Sequence, residues 1–278
     1  MAIAMKDLQD SALGDLRLHP THKWIRAATH GDLVVVDSRR ALLVWEPRRI
    51  VPCYAVPEPD VIGELVPSDG AGSVSRRVAL PRDPDMPHGV LTPDDPFVRH
   101  STPGTSLTIR TEAGDLPAAA FAPDDRDLAG WVLLDWDAFG QWYEEDEPVM
   151  GHPHDPFKRI DCLRSSRHVE VTHRGVVLAD TRRATLLYET HLPTRYYIPR
   201  EDVAMELLEP SDRHTVCAYK GQASYWSARI GDELLADIAW TYEAPLHDAV
   251  PVRGLVAFYA GKLGLTVDGV VAGERRPR

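Results

Sequence analysis

Two stretches decide the fold, THGDLVVVDSRRALLVWE at residues 29–46 and THRGVVLADTRRATLLYE at residues 172–189. They align without a gap at an offset of 143 and share nine of eighteen residues: Thr29, His30, Val34, Asp37, Arg39, Arg40, Ala41, Leu43 and Glu46 of the first copy. The unmatched pairs keep their type, as in Trp45 with Tyr188 and Val44 with Leu187. After a one-residue slip the likeness runs on through YAVPEPDV (54–61) and YYIPREDV (196–203). A period this long exceeds the ~20–50 residues of stacked repeats, so it marks a duplicated domain. A chain of 278 residues is long enough for two such domains, each with its own core.

Each copy is patterned as strands. Residues 176–179 and 184–188 are short apolar runs with THRG before them and ADTRR between them, the spacing of a β-meander. Further strands are expected at 215–220, 223–230, 234–243, 255–259 and 267–273, the last around the hairpin signal Asp268-Gly269. Short helices are expected at 200–208, after Pro199, and at 137–146, where Phe139, Trp142 and Tyr143 follow an Asp137 N-cap at helical spacing. GWVLLDW (130–136) resembles GLVAFY (254–259), and the Pro/Asp-rich residues 73–97 read as a long loop or insertion. The expected fold is mostly β: two homologous small β domains with meander, tent-like or sandwich-like sheets and a few short helices. A tail spans 1–20, the first copy 21–148, a Pro/Gly/His linker 149–158 and the second copy 159–278.

Composition narrows the function. A net charge of −11 repels phosphate backbones and no basic stripe overrides it, so no nucleic-acid partner is expected. Cys53, Cys162 and Cys217 form no C-x-x-C, which points to a reducing cytoplasm and to neither a disulfide framework nor a thiolate zinc site. No apolar run approaches the ~18 residues of a membrane span, and no membrane partner is expected.

The densest chemistry lies in CAYKGQASYWSARIGDELLADIAWTYEAPL, residues 217–246. Its strands carry Tyr219, Tyr225, Trp226, Trp240 and Tyr242, with Lys220 at the turn, and these six are the candidate ligand-binding residues. Aromatic walls suit a planar or cationic small molecule, and Lys220 suits an anionic group. The same side chains also suit a closed core.

Asp180-Thr-Arg-Arg, Glu189, YYIPREDV, CAYKGQASYW, AWTYEAP, the closing VDG and SSRHVEV (165–171) together resemble a bacterial family known as domain of unknown function four-two-seven. Some catalogues label that family a nucleotidyltransferase domain. The resemblance covers 159–269 well and 24–147 more loosely, which implies a tandem, two-copy member built from a small mostly-β domain. Ala218 stands where the family has proline in C-P-Y-K-G. The first copy has no such motif, and TIRTEAGD (108–115) takes roughly its place.

The nucleotidyltransferase label would need paired carboxylates for Mg²⁺, and Asp135 and Asp137 are the candidates, with turn and N-cap roles as the alternative. His152, His154, His168 and His173 have no recognised metal spacing, and no metal site is assigned. Asp180, Arg182, Arg183 and Glu189 fit either anion binding or a turn in which an arginine pairs Glu189. Three readings stay open: a ligand pocket, binding or catalytic, in the second copy; Mg²⁺-dependent nucleotidyl transfer; and a protein-interaction module.

Overall fold

The computed structural model describes residues 2–69 and 89–272, so the expected loop at 73–97 falls partly outside the described residues. The chain divides into two compact units, Met1–Asp155 and Pro156–Arg278.

In the N-terminal unit a short helix, α1 (Met5–Ser11), precedes β1 (Arg17–Pro20), β2 (Ile25–Ala28), β3 (Val34–Ser38), β4 (Leu42–Trp45), β5 (Cys53–Pro57), β6 (Glu64–Pro67), β7 (Gly104–Thr111), β8 (Gly114–Pro123), β9 (Trp131–Leu134), β10 (Gln141–Glu144) and β11 (Glu147–Val149). The C-terminal unit has β12 (Ile160–Arg164), β13 (Val169–His173), β14 (Val176–Thr181), β15 (Thr185–Glu189), β16 (Arg195–Ile198), β17 (Leu208–Cys217), β18 (Gly221–Ile230), β19 (Glu233–Thr241), β20 (Val256–Phe258), β21 (Gly264–Val267) and β22 (Val270–Val271). Among the described residues each unit has one seven-stranded and one four-stranded antiparallel sheet. The orders are β1-β4-β5-β9-β8-β7-β6 with β11-β10-β2-β3, and β12-β15-β16-β20-β19-β18-β17 with β14-β13-β21-β22. The strands of the two units correspond one to one.

The meander expectation fails at the repeated motif. β14 and β15 do not pair; the first lies in the four-stranded sheet and the second in the seven-stranded one, and β3 and β4 divide in the same way. Alternation fixes which face of a strand is buried but not which strand lies beside it. The ADTRR segment is therefore a corner between sheets. Thr181 Oγ1 donates to Asp202 Oδ2 at 2.6 Å and accepts from Arg183 N at 2.9 Å, while Arg183 Nη2 donates to Asp202 Oδ1 at 2.6 Å. Ser38, Asp60 and Arg40 repeat this corner in the first unit, with Ser38 Oγ 2.7 Å and Arg40 Nη2 2.6 Å from Asp60. The corner arginine thus pairs Asp202, not Glu189.

The identity of Thr29-His30 with Thr172-His173 is likewise not a structural equivalence. Thr172 pairs Val177 and Gly264, and the matching residue is Ala28, which pairs Val34 and Gln141. Both strands carry a bulge there, and the first unit has one extra residue in the turn that follows. Both expected helices are also replaced. Residues 136–138 form a single 3₁₀ turn before β10, and 200–202 and 205–207 form two more before β17. In β10 burial alternates, with Trp142 and Glu144 inward, so the aromatic spacing there belongs to a strand.

The main core of each unit lies between its sheets. In the C-terminal unit Val169, Val171 and Leu178 of the small sheet meet Leu186, Ile198, Ile238 and Ala239 of the large one. No helix among the described residues is long and apolar enough to cross a membrane.

Candidate functional site

Alternation along the large sheet of the C-terminal unit sends a second set of side chains to its other face. There Leu187, Tyr197, Tyr225, Trp240 and Tyr242 form a separate buried cluster, closed over by Ala249 and Val252 of the 3₁₀ segment His247–Val252. The cluster is polar at its tips. Trp240 Nε1 donates to Tyr197 Oη at 3.1 Å, and Tyr225 Oη lies 3.0 Å from Thr215 Oγ1 and 3.3 Å from Tyr259 Oη. Tyr259 and Arg195, both half-buried, lie against Trp240, with a ring separation of 4.6 Å and a guanidinium-to-ring distance of 5.8 Å.

Lys220 enters this cluster from the turn 218–220 and donates from Nζ to Glu189 Oε2. Gly221 follows with φ +94°, a left-handed conformation that glycine adopts without strain. The covering segment is tied to the same turn, because Leu246 N donates to Lys220 O at 3.1 Å. Burial works against the Lys220 ammonium, but the electrostatics of Cys217 and Glu189 outweigh it and its pKa is raised. Burial raises Tyr197 to about 12 and carries Tyr242 well above the ordinary phenol value. Burial and the bond to Tyr225 raise Tyr259 too. Near pH 7 these groups are fixed as one ammonium and three neutral phenols. Groups fixed in this way are poorly matched to proton transfer near neutral pH.

Of the six sequence candidates, Tyr225, Trp240, Tyr242 and Lys220 share this face. Tyr219 is half-buried in the turn. Trp226 points the other way, into the core between the sheets, under the guanidinium of Arg200 at 5.2 Å. Sequence reasoning missed Tyr197, Tyr259 and Arg195. Tyr197 was marked by its place in the repeat, since its counterpart is alanine.

That counterpart shows how far the copies have diverged. By ladder position, Tyr197, Tyr225, Trp240, Tyr242 and Ala257 correspond to Ala55, Ser106, Phe121, Pro123 and Leu133. The turn carrying Lys220 corresponds to the long connection 68–103, because TIRTEAGD instead forms the β7–β8 hairpin, the equivalent of β18–β19. From the end of that connection His100 lies flat on Phe121, with ring centroids 3.5 Å apart and planes 10° apart. Its Nδ1 is 3.1 Å from Glu46 Oε2, the equivalent of Glu189. Glu46 also accepts from Ser101 N at 2.9 Å and Arg49 Nε at 3.3 Å. Burial would raise the pKa of Glu46, but these partners, His100 foremost, lower it.

Asp135 and Asp137 lie in the N-terminal unit, where Asp135 Oδ1 accepts from Asp137 N at 3.1 Å and caps the turn 136–138. The adjoining cleft has a volume of about 40 Å³, room for a water. His168, Glu170 and Asp180 bring their ligand atoms within 4.8 Å of one another on the small sheet. The first unit has Trp24, Arg26 and Asp37 there. Trp24 Nε1 donates to Asp37 Oδ1 at 2.6 Å, just as His168 Nε2 meets Asp180 Oδ1 at 2.9 Å. A contact that an indole also makes is scaffold.

Fold and site together define a duplicated all-β protein with a polar aromatic cluster in one copy. Residues 161–272 match the model of a family described as Domain of unknown function (DUF427), and the N-terminal half repeats the sheet architecture without such a match. A search of the curated proteins finds no match to the chain.

Proposed function

We propose that this protein is a small-ligand-binding module in which the C-terminal unit takes a planar molecule against Trp240, and the N-terminal unit is a copy filled by its own chain. One observation carries this reading. The N-terminal unit seats the His100 ring flat on Phe121 beside Glu46, and the C-terminal unit has an indole and Glu189 at those ladder positions. Among the described residues no ring lies flat there; Trp240 is covered by the tilted Tyr259 ring, at 47°, and by Arg195. Displacing these two side chains breaks no ladder hydrogen bond and only the 3.3 Å contact between the Tyr259 and Tyr225 hydroxyls, and an indole face beside a guanidinium favours a planar, anionic molecule.

Tryptophan fluorescence of the full chain, titrated with adenosine monophosphate and with riboflavin phosphate, tests the reading. Saturable quenching by one of them, weakened at least about tenfold by Trp240→Leu and not weakened by Tyr259→Ala, is expected. No saturable response to either, or a response indifferent to Trp240→Leu, would sink it.

A further inference from the structure

The strongest unassigned feature is a groove of about 690 Å³ at the corner of the C-terminal unit, lined by Arg164, Ser165, Ser166, Arg182, Thr185 and Leu255 among others. We propose that it is a binding site for a phosphate monoester, with the phosphate held between Arg164 and Arg182.

The assignment rests on which arginines are already committed. Arg183, at the same rim, is held by Asp202 and Glu201. Arg164 and Arg182 make no hydrogen bond or ion pair through their side chains among the described residues. Arg182 acts on Asp268 only at long range, as the last of its influences, and Arg167 already engages that carboxylate at 2.8 Å. Two uncommitted guanidinium groups facing one groove repel each other and gain from a shared anion.

The N-terminal unit shows that the scaffold does not require this pair. Arg182 corresponds to Arg39, whose guanidinium stacks on Trp24 at 4.9 Å; His168 replaces that indole in the C-terminal unit. Arg164 corresponds to Pro20, Thr185 to Leu42 and Leu255 to Trp131. Each exchange opens the corner or makes it more polar.

The hydroxyl groups add donors for a tetrahedral oxyanion. Ser165 Oγ accepts from Arg167 N at 3.2 Å, so its O–H is left to donate, and Ser166 is exposed. The volume exceeds that of bare phosphate. Pro199, Pro251 and Leu255 offer an apolar wall for the organic part of an ester. Pro251 belongs to the segment that covers the aromatic cluster, so the groove borders the Trp240 face without depending on it.

The test is calorimetric titration of the full chain with inorganic phosphate and with glycerol phosphate, against sodium chloride at matched ionic strength. One saturable site is expected for each, with glycerol phosphate at least as tight. Arg164→Gln and Arg182→Gln should each weaken binding at least about tenfold and the double variant abolish it, while Arg229→Gln, on β18 and paired with Glu209, leaves it unchanged. Thermal unfolding confirms that the variants are folded. Heat that does not saturate, or a double variant that binds like the parent, overturns the site, and exclusion of the ester while phosphate binds overturns the monoester. Neither probe carries a ring for Trp240, so failure here leaves the fluorescence titration standing.

Discussion

The two copies agree at their corners and disagree on one face. At the corner a hydroxyl, an arginine and an aspartate form the same set of bonds in Ser38, Arg40 and Asp60 as in Thr181, Arg183 and Asp202. On the outer face of the large sheet, alanine, serine, phenylalanine and proline in one copy stand against two tyrosines, a tryptophan and a third tyrosine in the other. What both copies keep holds two sheets together. What one copy alone elaborates is where function is sought.

The largest effect should come from the buried Lys220–Glu189 pair. Lys220→Met strands a buried carboxylate and should cost ~3–5 kcal/mol in chemical denaturation. Adding Glu189→Leu should restore most of that loss, and an additive double variant would show that the pair is not coupled. In the N-terminal unit the matching test is acid. Burial opposes the Glu144 carboxylate, but hydrogen bonds from His154, Lys23 and Tyr54 outweigh it and lower its pKa from 4.5 to about 2. A lowered folded pKa gives stability that is complete above the unfolded value and fades as pH falls through the folded one. Wild type should therefore lose about 3 kcal/mol between pH ~5 and pH ~2 relative to Glu144→Gln in acid titration followed by circular dichroism.

The corner equivalence should show in smaller, matched effects. Ser38→Ala and Thr181→Val each remove a buried hydroxyl bonded to aspartate and should each cost ~1–2 kcal/mol in urea unfolding. Unequal losses would break the equivalence.

Much of this architecture was legible in the sequence, because duplication and alternation are local signals. The offset of 143 marked two units, and Asp268-Gly269 marked the β21–β22 turn. Strand partnership was not legible, since alternation says nothing of neighbours, and the corner looked like a hairpin turn. Trp142 beside Phe139 looked helical because short aromatic spacings fit both periods. The groove was hidden more deeply. Arg39 and Arg182 are identical in the alignment and differ only through Trp24 and His168, which come into register only when a one-residue turn difference and a shared bulge are placed.

The central claim is that binding belongs to the C-terminal copy. Hydrogen–deuterium exchange of the full chain with and without adenosine monophosphate tests it most directly. Slowed exchange confined to the C-terminal unit, with β16, the turn 218–220 and the segment His247–Val252 among the protected parts, is the predicted result. Protection centred on the N-terminal unit, or none at saturating ligand, would contradict it.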